Sequence, residues 1–196
     1  MKHTRRRRHR LVAIILLLLS GLSYLQLAGR FGSAASLLQT SQPGLYAVQS
    51  FVDGDTIAVL MNGQIEKIRF IGVDTPETHK PNTPVQCYGP AAASFTKSII
   101  GGRSIRLVSD SLSTDRDRYN RLLRYVYLAD GTLVNEQLIR NGYGFYYPYF
   151  PFSKSTQFLA AERQAQSNRR GLWAHCQPIP TDQGGFVSNN QSVAGN

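Results

Sequence analysis

Three short segments of this chain carry side chains that hydrolysis of a phosphodiester would use. Asp53-Gly54-Asp55-Thr56 and Asp74-Thr75-Pro76-Glu77 supply carboxylates, and Arg69 stands between them. Asp55 and Asp74 offer hard oxygen ligands to a divalent cation, Glu77 can take a proton from water, and Arg69 can hold phosphate oxygens. Asp117-Arg118-Tyr119-Asn120-Arg121 adds a second phosphate arginine in Arg121. Each segment alone has an ordinary explanation, as a hairpin turn, a loop that stops a strand, or a charged surface turn. No requirement of a fold groups them in this order, so together they point to phosphoryl chemistry.

The elements that must position these residues are readable around them. Tyr46–Val52, Thr56–Met61 and Ile65–Ile71 alternate or carry β-branched residues, with Asp53-Gly54 and Asn62-Gly63 as turns between them. This pattern predicts a three-stranded antiparallel meander. A helix follows, with Gly89 before it, Pro90 in its first turn and Gly101-Gly102 after it. Ile105–Val108 and Leu122–Leu128 read as two further strands. Thr132–Arg140 and Ser155–Arg170 read as a second and a third helix, the last stopped by Gly171. Five strands, with a helix between the third and fourth, predict a small α+β fold, a five-stranded OB-fold barrel with three α-helices.

Composition bounds the rest. The chain has 196 residues, 42% hydrophobic and 17% charged, enough for one compact domain with extensions. The net charge of +10 is concentrated at the start: seven of the 22 basic residues lie before Phe31, leaving 15 against all 12 acidic ones. The domain is only mildly basic, so a polyanion would be held by locally placed arginines. The basic stretch 1–10 precedes an uncharged apolar segment, 11–29, just long enough to span a bilayer as an N-terminal hydrophobic helix. An uncleaved anchor and a cleaved secretory signal both fit, and both export the domain. A spacer, 30–43, leads into the domain, 44–176, and the polar tail, 177–196, reads as disordered.

Cysteine usage agrees with export. Cys87 and Cys176 are the only two, and an exported pair reads as a disulfide. Closing that loop of 89 residues is worth about 4–5 kcal/mol by chain entropy. A zinc site that adds His79 and His175 is the alternative, though adjacent His175 and Cys176 fit two corners of one tetrahedron badly.

From about Tyr46 to Trp173 the chain resembles the staphylococcal nuclease (thermonuclease) family. The resemblance rests on Val52-Asp53-Gly54-Asp55-Thr56, the run from Arg69 to Thr78, Tyr88-Gly89-Pro90-Ala91-Ala92, Asp117 to Arg121, Val134-Asn135-Glu136 and Gly171-Leu172-Trp173. It implies calcium-dependent cleavage of DNA and RNA that leaves 3′-phosphate ends. It also implies that Asp55, Asp74 and the Thr75 carbonyl bind Ca2+, with Glu77 as general base and Arg69 and Arg121 on the phosphate. Tyr119, Tyr147 and Tyr149 match tyrosines of the nucleotide pocket. Three positions depart from the family pattern. Asn120 replaces a glycine but tolerates a left-handed backbone, Ala91 replaces a glutamate, and Phe150 replaces a lysine.

The expectation is an exported nuclease, a monomer that acts on single-stranded or flexible DNA and RNA. It would be tethered to the membrane by its N-terminal segment, facing outward, or secreted. Sequence preference should be slight, because the inferred contacts reach phosphates and base faces. The alternative is a non-catalytic nucleic-acid-binding module of the same barrel at the cell surface.

Overall fold

A computed structural model describes residues 44–78 and 84–190. The N-terminal apolar segment, the spacer and His79 lie outside the described residues. Among those described, no helix is long and apolar enough to cross a membrane.

The expected five strands occur as a six-stranded mixed sheet. Its members are β1 (Leu45–Tyr46), β2 (Val48–Asp53), β3 (Thr56–Met61), β4 (Gln64–Phe70), β6 (Ile105–Val108) and β7 (Leu122–Leu128). Their order is β1-β6-β7-β4-β3-β2, with β4 and β7 parallel and every other pair antiparallel. The extra strand arises because the first predicted strand breaks at Ala47: its first part pairs with β6 and its second with β3. The two edges of the sheet are thus consecutive in the chain. The sheet curls toward that residue, but its hydrogen bonding does not close into a barrel.

Two small ladders stand outside this sheet. β5 (Val73–Asp74) pairs with β8 (Phe145–Tyr146), and β9 (Ile179–Pro180) pairs with β10 (Phe186–Val187). The second ladder corrects the expectation of a disordered tail as far as Asn190. Phe186 packs on Phe145 and edge-on to Trp173, 5.0 Å between the latter centroids, so one aromatic anchors a polar stretch.

Among the described residues there are four helices rather than three: α1 (Gly89–Ile100), α2 (Val134–Arg140), α3 (Ser155–Ser167) and a single turn, α4 (Leu172–His175). Helix α2 starts two residues later than predicted, since Thr132 and Leu133 stay extended against β7. The core lies between the sheet and the helices, with Ile57, Val59, Ile68, Phe70, Leu138 and Phe158 fully enclosed. Buried Asn135 ties the layers at one point. Its side chain accepts from Val126 N–H and donates to the carbonyls of Ile71 and Arg124. That tie fixes where the chain leaves β4 for Asp74.

Candidate active site

The turn between β2 and β3 is pinned from two sides. Gly54 passes so close to β5's exit that an added Cβ would stand 2.7 Å from the Thr75 hydroxyl, so only glycine fits. Its carbonyl accepts the hydroxyl proton of buried Thr96 on α1, and its N–H donates to Asp53 Oδ1 at 2.9 Å. Asp55 is consequently buried, at 6% exposure. Its Oδ1 accepts from Thr56 Oγ1 at 2.9 Å, and its Oδ2 accepts from the Thr75 N–H and hydroxyl at 2.8 and 3.0 Å.

Arg69, at the end of β4, joins the two acidic segments. Its Nη2 donates to Asp74 Oδ1 at 2.6 Å, and its Nη1 forms an ion pair with Asp55 Oδ2 without hydrogen-bond alignment. Asp53, Asp55 and Asp74 share this corner with that guanidinium. Burial pushes the Asp74 carboxyl up to about 6; Arg69 opposes the rise and the Asp55 charge adds to it. Burial, then the charge on Asp55, raises Asp53 as well. Burial is the larger cause for both groups, and the neighbouring negative charge adds to it.

The donors here are hard oxygens. Among the described residues, no three His, Cys, Asp or Glu side chains form a group able to hold a metal ion. Asp55, Asp74 and the Thr75 backbone offer oxygen donors, the type a hard cation takes together with water and phosphate oxygens. They do not fit a four-coordinate zinc centre. The zinc alternative at the cysteines is also removed, because Cys87 and Cys176 are joined to each other in a disulfide.

The second arginine approaches from the turn before β7. Asn120 adopts φ 62°, the left-handed conformation its side chain tolerates, and the next residue, Arg121, turns inward. Arg121 Nε donates to Asp117 Oδ2 at 2.7 Å, and Nη1 reaches Thr56 Oγ1 at 3.4 Å. The Thr56 hydroxyl thus links Arg121 to Asp55.

These groups line one cavity of about 1080 Å³, which takes in Asp55, Arg69, Asp74, Thr75, Glu77 and Arg121. Tyr119 and Tyr147 line it too. Tyr119 is 64% exposed, with Arg118 and Arg121 over its ring at 4.8 and 5.3 Å. Tyr147 lies 6.0 Å from the Arg69 guanidinium. Tyr149 is not among the lining residues, though its ring packs on that of Tyr147 at 4.7 Å. Its hydroxyl is hydrogen-bonded to Thr181 Oγ1 at 2.7 Å, which turns it to the C-terminal segment. Phe150 lines the cavity, 64% exposed.

Two contributors escaped the sequence reading. Asp53 sits inside the recognised motif, but its contacts with Gly54 N–H and the Thr78 hydroxyl need the folded loop to be seen. Gln86 has no signal in spacing at all; its side-chain oxygen accepts from Glu77 N–H at 2.8 Å.

Residues 67–175 match the family model described as staphylococcal nuclease homologue. The chain is 35% identical over 168 residues to the thermonuclease of Staphylococcus hyicus, covering 84% of this chain and 95% of that protein. It is 42% identical over 129 residues to the thermonuclease of Staphylococcus intermedius, covering 65% and 75%. It is 39% identical over 140 residues to endonuclease YncB of Bacillus subtilis, covering 70% and 62%.

Proposed function

We propose, from the premise that this chain belongs to the staphylococcal nuclease family, that it is a calcium-dependent nuclease acting outside the cytoplasm. Hydrolysis of phosphodiester bonds is the activity carried by the relatives' names. The curled sheet, its edges joined at Ala47, is read as that family's OB-type barrel.

The observation that carries the reading is that Arg69 touches both Asp55 and Asp74 in the wall of a cavity shared with Glu77 and Arg121. Asp55, Asp74 and the Thr75 carbonyl would hold the calcium ion. When bound, the ion would supply charge that offsets the phosphate and polarises water. Glu77 takes the proton of the attacking water as the bond to phosphorus forms. Arg69 and Arg121 donate to the non-bridging oxygens, where charge builds, each kept in place by the carboxylates it already contacts. The 5′-oxygen leaves, giving 3′-phosphate and 5′-hydroxyl ends.

Tyr119 and Tyr147 offer faces for unstacked bases, which suits single-stranded or flexible DNA and RNA over rigid duplex. Export rests on the basic start followed by the apolar segment 11–29, as an outward-facing membrane anchor or a cleaved signal. A monomer suffices, since every residue invoked comes from one chain.

The test is digestion of heat-denatured DNA and of RNA with calcium or with a chelator. Cleavage confined to calcium, with ends that kinase labels without prior phosphatase, supports the reading. Undiminished cleavage in chelator removes the calcium mechanism, and binding without cleavage favours the non-catalytic module. Intact-mass measurement of cell-associated and released protein tests the anchor.

A further inference from the structure

The side chain proposed as general base sits on a loop whose backbone the fold clamps at Gln86, while Thr78 next to it reaches Asp53. Glu77 N–H donates to Gln86 Oε1 at 2.8 Å, while Gln86 N–H donates to the Glu77 carbonyl at 2.9 Å. Two residues nine apart in sequence are thus clamped face to face. Gly89 presses on the same spot: a Cβ there would lie 2.7 Å from the Glu77 carbonyl oxygen.

Gln86 is itself held by the C-terminal segment. It forms an antiparallel bridge with Asn190. The next residue, Cys87, is bonded to Cys176, donates from N–H to the Asn189 carbonyl at 2.8 Å, and accepts at its own carbonyl from the Ser188 hydroxyl at 2.8 Å. Tyr88 then adopts φ 71°, a left-handed backbone that a tyrosine rarely takes. Such a conformation persists only where its surroundings dictate it. Here they are the disulfide before it, helix α1 after it, and a ring stacked on His175 at 5.8 Å and packed on Tyr143 at 5.4 Å.

We infer that Gln86 is a positioning residue for Glu77, and that the Cys87–Cys176 disulfide with the strap Ser188–Asn190 holds Gln86 in register. The covalent tie then sets the aim of the base. Reduction transfers two electrons and two protons to the disulfide, leaves two thiols, and oxidises a dithiol reagent to its own disulfide. It frees Cys87, and with it the clamp one residue away. In a thiol-reducing compartment the chain is a slow nuclease, and in an oxidising one it reaches full turnover. This inference rests on the nuclease reading and on Glu77 as its base.

The experiment measures kcat, KM and melting temperature of the full chain, on denatured DNA with calcium and well below each melting point. Gln86→Leu, with the disulfide verified by mass, should lower kcat about 10- to 100-fold, the usual effect of misplacing a reacting group by about an ångström. KM should move less than about twofold, because no substrate contact is lost. Gln86→Glu keeps an oxygen acceptor for Glu77 N–H and should restore turnover to within about threefold of the parent. Treating the parent with dithiothreitol should lower kcat in the same way, and treating Gln86→Leu should add little, because both act through one clamp. Parental kcat in Gln86→Leu, or in the reduced parent, overturns the inference; so does a reduction effect that multiplies in full onto Gln86→Leu. Absence of cleavage by the oxidised parent strikes the nuclease reading instead.

Discussion

Arg69 donates to Asp74 Oδ1 at 2.6 Å while its other terminal nitrogen rests against Asp55, so one guanidinium is shared by both carboxylates of the proposed metal site. An ammonium cannot span them with a planar fork. Arg69→Lys should therefore lower kcat about a hundred- to a thousandfold, the loss expected for one transition-state donor. Arg69→Ala leaves buried Asp55 and half-exposed Asp74 without their shared cation and should lower the midpoint of calcium-free urea denaturation. A parental denaturation midpoint in Arg69→Ala would show that the bridge contributes nothing to the fold.

Calcium should stabilise as well as activate. Asp55 and Asp74 meet at this one arginine with Asp53 in the same cavity wall, and burial, then mutual repulsion, raises Asp53 and Asp74. A bound cation relieves that repulsion only in the folded state, so the melting temperature should climb with calcium. The gain is about 2.7 kcal/mol at a concentration a hundred times Kd. Asp55→Asn or Asp74→Asn should weaken calcium binding at least about tenfold in titration calorimetry. A melting temperature indifferent to calcium would contradict the assigned ligands.

The motif around Asp53–Thr56 was legible because a glycine turn between β-branched runs fixes its strands, and the register of the meander then places Arg69 opposite Thr56. The break at Ala47 was not legible, since both halves of that strand carry the same extended pattern and differ only in partner. The order of the tail depends on Phe186 finding Trp173 and Phe145, which its polar neighbours hide. Gln86 was invisible for a related reason: its role is a pair of backbone contacts, and the side-chain alphabet near a turn does not encode them. The hydrogen bond of Tyr149 to Thr181 was likewise not legible, because its partner lies 32 residues on in the polar tail.

Stability should peak in mild acid. Burial raises the carboxyl of Glu162, which accepts from Tyr146 N–H, to about 7. A raised carboxyl pKa means that the folded state holds its proton longer, so this contribution is complete below the unfolded value of about 4.5 and is lost as pH climbs to about 7. Asp110 behaves in the opposite way. It accepts from Ser153, Tyr125 and Leu112, and despite its burial these bonds hold it down at about 2. Its contribution is present above the unfolded value of 3.8 and falls away toward pH 2. Urea midpoints should therefore be highest between about pH 4 and 5. Glu162→Gln keeps the acceptor and should flatten the alkaline limb; an unchanged slope in that variant would show that another group causes it.

Asn120 supplies the last prediction. At φ 62° it aims Arg121, whose N–H and guanidinium both close on Asp117 and whose far nitrogen reaches Thr56. A glycine there removes the left-handed penalty without changing the path, so Asn120→Gly should keep kcat within about threefold and hold or raise stability. A β-branched residue cannot take that backbone for less than about 1–2 kcal/mol, and relaxation of the turn would swing Arg121 off the cavity. Asn120→Val should thus lose both stability in urea and turnover on denatured DNA, while calcium binding at Asp55 and Asp74 stays as it was. Loss of calcium binding along with turnover would mean that the turn supports the acidic corner itself, and the aim of Arg121 would no longer explain the effect.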